Sequence, residues 1–307
     1  MSNKLQNLMN HSDCPIDMIV HGAICEKRLR CAVVVSTDTT KAAQQRHEMG
    51  PMATIALGRA LACTALMGST LKEGQQYVHC QVDGDGPMKG VVAEFIAPAS
   101  LRGYAKVPNL AAVLTSNDHI PQAVGEALGS SGTVTIKRGS FTGKEPYTGI
   151  ASLVTGEIAQ DIAQYYVESE QIPTIIAAGV KLDHQGKVLA AGGILVQKIG
   201  GEDIDDHTLA GFEERCATLN LSEKIASGMT PEEIFQEVAQ EDVGTLQISR
   251  KPIGFHCFCN RDRMASTMIS LGEDELRDIL AEVGKLEIRC HYCSSLQRFE
   301  LSELIKH

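Results

Sequence analysis

Four cysteines in two tight pairs constrain this chain more than any other feature. They read Cys257-Phe258-Cys259, then thirty residues, then Cys290-His291-Tyr292-Cys293. Between the pairs, Met264, Met268 and Leu271 recur at helical spacing after Asn260, a residue suited to capping. Leu276, Ile279, Leu280 and Val283 make a second apolar stripe that stops at Gly284. Leu286-Glu287-Ile288 leads into the second pair and Phe299-Glu300-Leu301 leads out of it, which predicts a hairpin with the cysteines at its turn, as in a zinc knuckle. Four thiolates at ~2.3 Å satisfy a tetrahedral zinc ion, and two short pairs close such a site at small entropic cost. Residues 255–307 are too few to bury a sufficient core, and structural zinc contributes an apparent ~10–16 kcal/mol that can exceed the deficit. The expected ligands are Cys257, Cys259, Cys290 and Cys293, one zinc per chain. With four sulfurs filling the shell, His256 and His291 are expected to be bystanders.

Two other chemistries compete for these residues. A Cys-x-x-Cys can be a redox dithiol, activated where its first cysteine sits at a helix N-terminus. Here a strand is expected on each side of the motif, so the activating helix is missing. A zinc ribbon that binds nucleic acid would need a basic face, yet residues 255–307 carry seven Lys and Arg against nine Asp and Glu. The whole chain has a net charge of -10, which opposes broad phosphate binding, and no Trp with only 4% aromatic residues leaves few stacking platforms. No nucleic-acid partner is expected.

The other six cysteines, Cys14, Cys25, Cys31, Cys63, Cys80 and Cys216, are scattered at no regular interval. In a chain of 307 residues that is not the pattern of a secreted disulfide scaffold, and each reads as a small apolar residue or a surface thiol. Met1 to Pro15 lacks the apolar stretch of a secretory signal, and no run approaches the ~18 apolar residues of a membrane span. The chain is expected to be cytoplasmic, with no membrane partner.

Charge marks the internal boundaries. Residues 201–250 hold twelve acidic residues against three basic ones, nearly the whole charge excess of the chain. Leu209, Phe212, Cys216 and Leu219 recur there at helical spacing. A further helix should open at Thr230-Pro231-Glu232-Glu233, with Thr230 as cap, Pro231 in the first turn and Glu233 completing a capping box. Ile234, Phe235 and Val238 supply its apolar stripe. The segment is either a solvated connector or a helical linker whose apolar face docks on a neighbouring domain.

Residues 1–200 read as mixed α and β. Strands are expected over residues 26–36, 76–82, 91–96, 133–137, 181–183 and 194–199, with a buried helix over 51–72 and a helix over 157–169. Gly84 to Gly90 resembles a dinucleotide loop, but its spacing is one residue long and a strand follows, so it reads as a hairpin turn. No nucleophile elbow or Walker loop stands out. Runs of strands with interspersed helices favour an α+β class. The expected organisation is a core domain at 1–200, an acidic helical linker at 201–254 and a zinc-binding module at 255–307.

With the cysteine pattern at the end of an acidic linker, the chain resembles the redox-regulated 33-kDa heat-shock chaperone family. The resemblance runs through nearly the whole chain: Asp83-Gly84-Asp85-Gly86-Pro87, Arg102-Gly103-Tyr104, Pro146-Tyr147-Thr148-Gly149, Ser169-Glu170-Gln171-Ile172-Pro173, Ala191-Gly192-Gly193, then the four cysteines. Two features depart from the family pattern: Asn260 stands where a Ser commonly follows the first pair, and the core holds more cysteines than usual. The resemblance implies a non-enzymatic, ATP-independent holdase that binds unfolding client proteins. It implies a reduced, zinc-bound monomer, and an oxidised dimer with disulfides Cys257–Cys259 and Cys290–Cys293. A constitutive zinc-stabilised binding protein and a thiol-disulfide oxidoreductase are the alternatives.

Overall fold

The computed structural model describes residues 17–71, 76–110, 120–143, 145–200, 204–240 and 246–305. Two compact units share the chain, Met1–Phe255 and His256–His307. The architecture is the α+β class expected. Cys14 and Lys72 lie outside the described residues.

The larger unit is built on two sheets. One runs in the order β10 (Ile248–Pro252), β1 (Met18–Ile24), β2 (Leu29–Val35), β9 (Val188–Lys198) and β8 (Thr174–Leu182), all neighbours antiparallel. The other runs β11 (Gly254–Phe255), β5 (Ser100–Ala105), β4 (Gly90–Ile96), β3 (Gln76–Gly84), β6 (Gly132–Ser140) and β7 (Tyr147–Ser152), antiparallel except at the short β11–β5 pair. The Gly84–Gly90 segment closes the β3–β4 hairpin, as its following strand required.

Helix α1 (Thr37–His47) precedes the helix that joins the sheets, α2 (Pro51–Gly68). Every residue of α2 after Pro51 is buried, and its side chains share one core with residues of both sheets. Such an all-round apolar helix must be covered on every side. Small residues let it fit: a Cβ on Gly68 would fall 2.3 Å from the Phe95 ring, inside contact distance. This helix corrects one expectation, because by length and composition its 18 residues could cross a membrane. Instead 94% of that window is buried within the protein.

Strand β2 shows why the first sheet needs layers on both faces. Its side chains alternate with period two, as a strand's must. Ala32 and Val34 enter the core around α2, whereas Leu29, Cys31, Val33 and Val35 enter a second apolar cluster. That second cluster is completed by α5 (Asp206–Thr218), α6 (Leu221–Ala226) and α7 (Pro231–Ala239), through Phe212, Cys216, Leu219, Leu221, Ile225, Ile234, Phe235 and Val238. Each large apolar side chain so buried contributes about 1.5–3 kcal/mol. The segment expected as a linker is therefore a helical cover on the sheet, with the docked apolar face its periodicity allowed. It is not set apart as a body of its own: residues 204–240 and 246–254 fall in the same compact unit as the core, and the small unit begins at His256. The Thr230 cap forms as expected, its hydroxyl accepting from the Glu233 amide while the Glu233 carboxylate accepts from the Thr230 amide.

Other boundaries differ. The strand expected from residue 26 starts at Leu29, because Cys25 to Lys27 take positive φ in the β1–β2 turn. Glu157 caps the next helix, α4 (Ile158–Tyr165), which follows α3 (Ile120–Leu128) in the chain and passes into a π turn over Tyr166–Glu170. Strands β1, β5, β7, β10 and β11 had no counterpart in the sequence reading.

Candidate metal centre

The small unit is two helices, a hairpin and a final one-turn helix around a short apolar core. Helix α8 (Arg261–Ile269) begins at Asn260, whose side chain accepts from the Arg263 amide at 2.8 Å. Helix α9 (Glu273–Val283) ends at Gly284, held at φ 76, the left-handed conformation that glycine adopts most readily. Strands β12 (Leu286–Arg289) and β13 (Leu296–Phe299) pair antiparallel, and a one-turn helix, α10 (Leu301–Leu304), follows. The elements expected from the sequence are all present. Met264, Met268, Leu276, Leu286, Phe299 and Leu304 form the buried core, with Ile279 and Leu280 packed against it. Leu271 and Val283 were expected on those stripes but are exposed.

Backbone geometry brings the two cysteine pairs together. Cys257 and Cys259 lie in the irregular stretch just before α8, and Cys290 and Cys293 occupy the hairpin turn. That turn is closed by the Cys290 amide on the Ser295 carbonyl at 2.9 Å and the Ser294 amide on the Cys290 carbonyl at 2.8 Å. The four sulfurs lie within 4.8 Å of one another, a group able to hold a metal ion. Cys257 and Cys290 Sγ are 3.7 Å apart, and Cys259 and Cys293 Sγ 3.2 Å. Neither His256 nor His291 is in the group; the His256 ring packs edge-on against Phe258. Burial raises the Cys293 thiol pKa, and burial with hydrogen bonding to Cys293 and Cys257 raises that of Cys259. Without a bound cation this pocket disfavours thiolates, which is what a site built to be neutralised by one requires.

One supporting residue escaped the sequence reading. Arg261 lies 4.3 Å over the Phe299 ring, donates to the Arg298 carbonyl at 2.9 Å and pairs with Glu303. It ties the helix that follows the first cysteine pair to the strand that follows the second. Its partners lie 37 and 42 residues away, so no local spacing marks it.

The remaining described cysteines are in the larger unit. Cys31, Cys63, Cys80 and Cys216 are buried and Cys25 is half-buried. Burial pushes Cys80 up to about 12 and Cys216 up to about 11, and Cys31 and Cys63 well above the ordinary value. These are protonated core thiols in this state, as their irregular spacing indicated.

The chain matches the Hsp33 protein family over residues 17–300 and belongs to it. It is 34% identical over 290 residues to the 33 kDa chaperonin of Bacillus pumilus (strain SAFR-032), covering 94% of this chain and 97% of the relative. To the 33 kDa chaperonin of Desulforamulus reducens it is 34% identical over 289 residues, covering 94% and 96%. The crystal structure of the 33 kDa chaperonin (heat shock protein 33 homolog) from Thermotoga maritima matches with a TM-score of 0.83 at 30% identity, over 94% of this chain and 98% of that one. Family membership gives the chain a chaperone role and makes client proteins its partners.

Proposed function

We propose that this protein is an oxidation-activated, ATP-independent holdase whose sensor is a zinc ion held by Cys257, Cys259, Cys290 and Cys293. The observation that carries this reading is the approach of four sulfurs in a unit with so small a core. A tetrahedral site with sulfurs at ~2.3 Å has edges of about 3.8 Å. The 3.7 Å separation is of that size and the 3.2 Å one is shorter, and an all-sulfur donor set suits zinc. Bound zinc would hold all four sulfurs as thiolates, the form that reacts with peroxide.

Oxidation joins Cys257 to Cys259 and Cys290 to Cys293. Each new disulfide passes two electrons to one peroxide, which leaves as water. The oxidised sulfurs no longer carry the charge that retains a cation, and the small unit loses its main source of folding free energy. Loosening then passes along the chain through β10 to the helical cover. Once the cover lifts, the sheet face of Val20, Leu29, Val33 and Ile194 and the stripe of Phe212, Ile234 and Phe235 become apolar surface for clients. The oxidised form is a dimer and the reduced form a monomer, and the working compartment is the cytoplasm, where thiols are otherwise kept reduced.

Titrating the reduced protein with peroxide at mildly elevated temperature, while following zinc release and aggregation of a heat-unfolded client, tests this. Protection should appear without ATP, in step with zinc release and with growth to a dimer on sizing. A variant with all four paired cysteines changed to Ser should not respond to oxidant. Equal protection by the reduced, zinc-loaded protein would replace the switch with a constitutive binder.

A further inference from the structure

The chaperone reading leaves unused two buried thiols, one on the sheet and one on the helical cover, at the surface expected to open. Cys31 lies in β2, the central strand of its sheet, on the face beneath the helical cover. Cys216 lies on α5, in the stripe that the cover turns toward that sheet, one turn after Phe212. Both are buried in the same apolar cluster, and the half-buried Cys25 packs against its edge. The residue opposite Cys31 on β1 is Gly22, so no side chain from that neighbour stands beside the sulfur. We propose that Cys31 and Cys216 form a second redox site, a disulfide latch that pins the helical cover to the sheet and opposes activation.

The proposal rests on the reading that the cover must lift. Two facts set when the latch can form. In the closed state burial keeps both thiols protonated, so the pair resists oxidant. A transient opening admits peroxide to one sulfur, which becomes a sulfenic acid, and reclosure presents it to the other thiol. In balance, two thiols and one hydrogen peroxide give one disulfide and two waters. The S–S bond forms, the O–O bond breaks, both sulfurs are oxidised and the peroxide takes up two electrons. The site therefore acts in the opposite sense to the four-cysteine cluster. Oxidation of the cluster releases the cover, and oxidation of the Cys31–Cys216 pair holds it.

The test uses the full chain, incubated with hydrogen peroxide at mildly elevated temperature, then alkylated and digested without reduction. A peptide pair joining Cys31 to Cys216 should be recovered, from wild type and from Cys25→Ala alike. In molecules carrying the link, protease cleavage within residues 206–239 should slow by roughly tenfold or more relative to Cys216→Ala treated the same way, since a cross-link suppresses local opening. Cys31→Ala should behave as Cys216→Ala does, which guards against a folding defect in either variant. Recovery of Cys31 unlinked, or linked only to Cys25, overturns the proposal, as does equal cleavage in wild type and both variants. Client protection distinguishes this failure from failure of the parent reading. If the switch is absent, peroxide activates neither wild type nor Cys216→Ala; if only the latch is absent, it activates both equally.

Discussion

The Cys63 and Cys80 thiols of the larger unit lie wholly inside a core that α2 and two sheets close around them. Cys257, Cys259 and Cys290 of the smaller unit are partly exposed, and the apolar core they adjoin has six buried side chains. The same side chain is filler in one unit and a candidate ligand in the other. What separates the two is the supply of apolar surface. Where packing is ample, a thiol can stay protonated and inert; where it is scarce, sulfur has to bring a metal to hold the fold.

The strongest attack on that comparison is to remove the metal. Chelation under reducing conditions should make residues 256–307 protease-sensitive while the larger unit resists, because an apparent ~10–16 kcal/mol leaves the small unit alone. Limited proteolysis with mapped fragments reads this. Cys290→Ser should reproduce the loss of metal, whereas Cys63→Ser should keep full metal and cost only about 1–3 kcal/mol of core stability through a buried hydroxyl. Should Cys63→Ser also lose metal, the division between filler and ligand fails.

A smaller effect is expected within the larger unit. Phe235 is fully buried between cover and sheet, so Phe235→Ala should weaken their contact by about 3–5 kcal/mol. Hydrogen exchange should then speed up across residues 206–239 while the amides of α2 remain protected. Uniform acceleration over both would show that the cover and the core open as one.

Much of the small unit was legible in the sequence because its signals are local. Asn260 and Gly284 mark helix ends, and the Cys290–Cys293 spacing marks a turn, each within a few residues. The larger unit was read less well because its order is long-range. Strand β10, Ile-Ser-Arg-Lys-Pro, has no alternation of its own and is a strand only through its register with β1, Met18 opposite Pro252. Likewise β2 pairs with β9 across most of the unit's length, so nothing near Cys31 reveals that its side chain lies beneath α5 to α7. The docking of Phe212 and Phe235 was foreseen as one option. Choosing it required knowing that the sheet has a bare apolar face.

The least effect is a pH dependence at the β1–β10 edge. His21 Nε2 is buried without a partner among the described residues, and burial, then the positive charges of Lys251 and Arg30, lower its pKa to about 4. Its folded-state pKa is below the unfolded value, so the folded protein binds fewer protons between about pH 6.5 and 4, and stability falls as the pH drops through that window. Asp17 works the other way. Burial raises it to about 6, so the stability it contributes in acid is lost as pH rises through about 4 to 6. Wild type and His21→Asn share Asp17, so the difference between their melting curves isolates the histidine. The variant should lose less stability on acidification, by a few degrees of Tm. Parallel losses would remove His21 from the account.

One consequence follows from how the cover is threaded. It leaves the sheet after β9 and rejoins the same sheet as β10, so residues 199–247 are moored at both ends. A lid held this way cannot diffuse off when it lifts, and its apolar stripe stays near the face it left at an effective concentration on the order of millimolar. Any client then competes with a resident rival whose strength is independent of how much protein is present. On the proposed mechanism, reclosure within one protomer is first-order, so the half-time of that step should be unchanged when the protein is diluted.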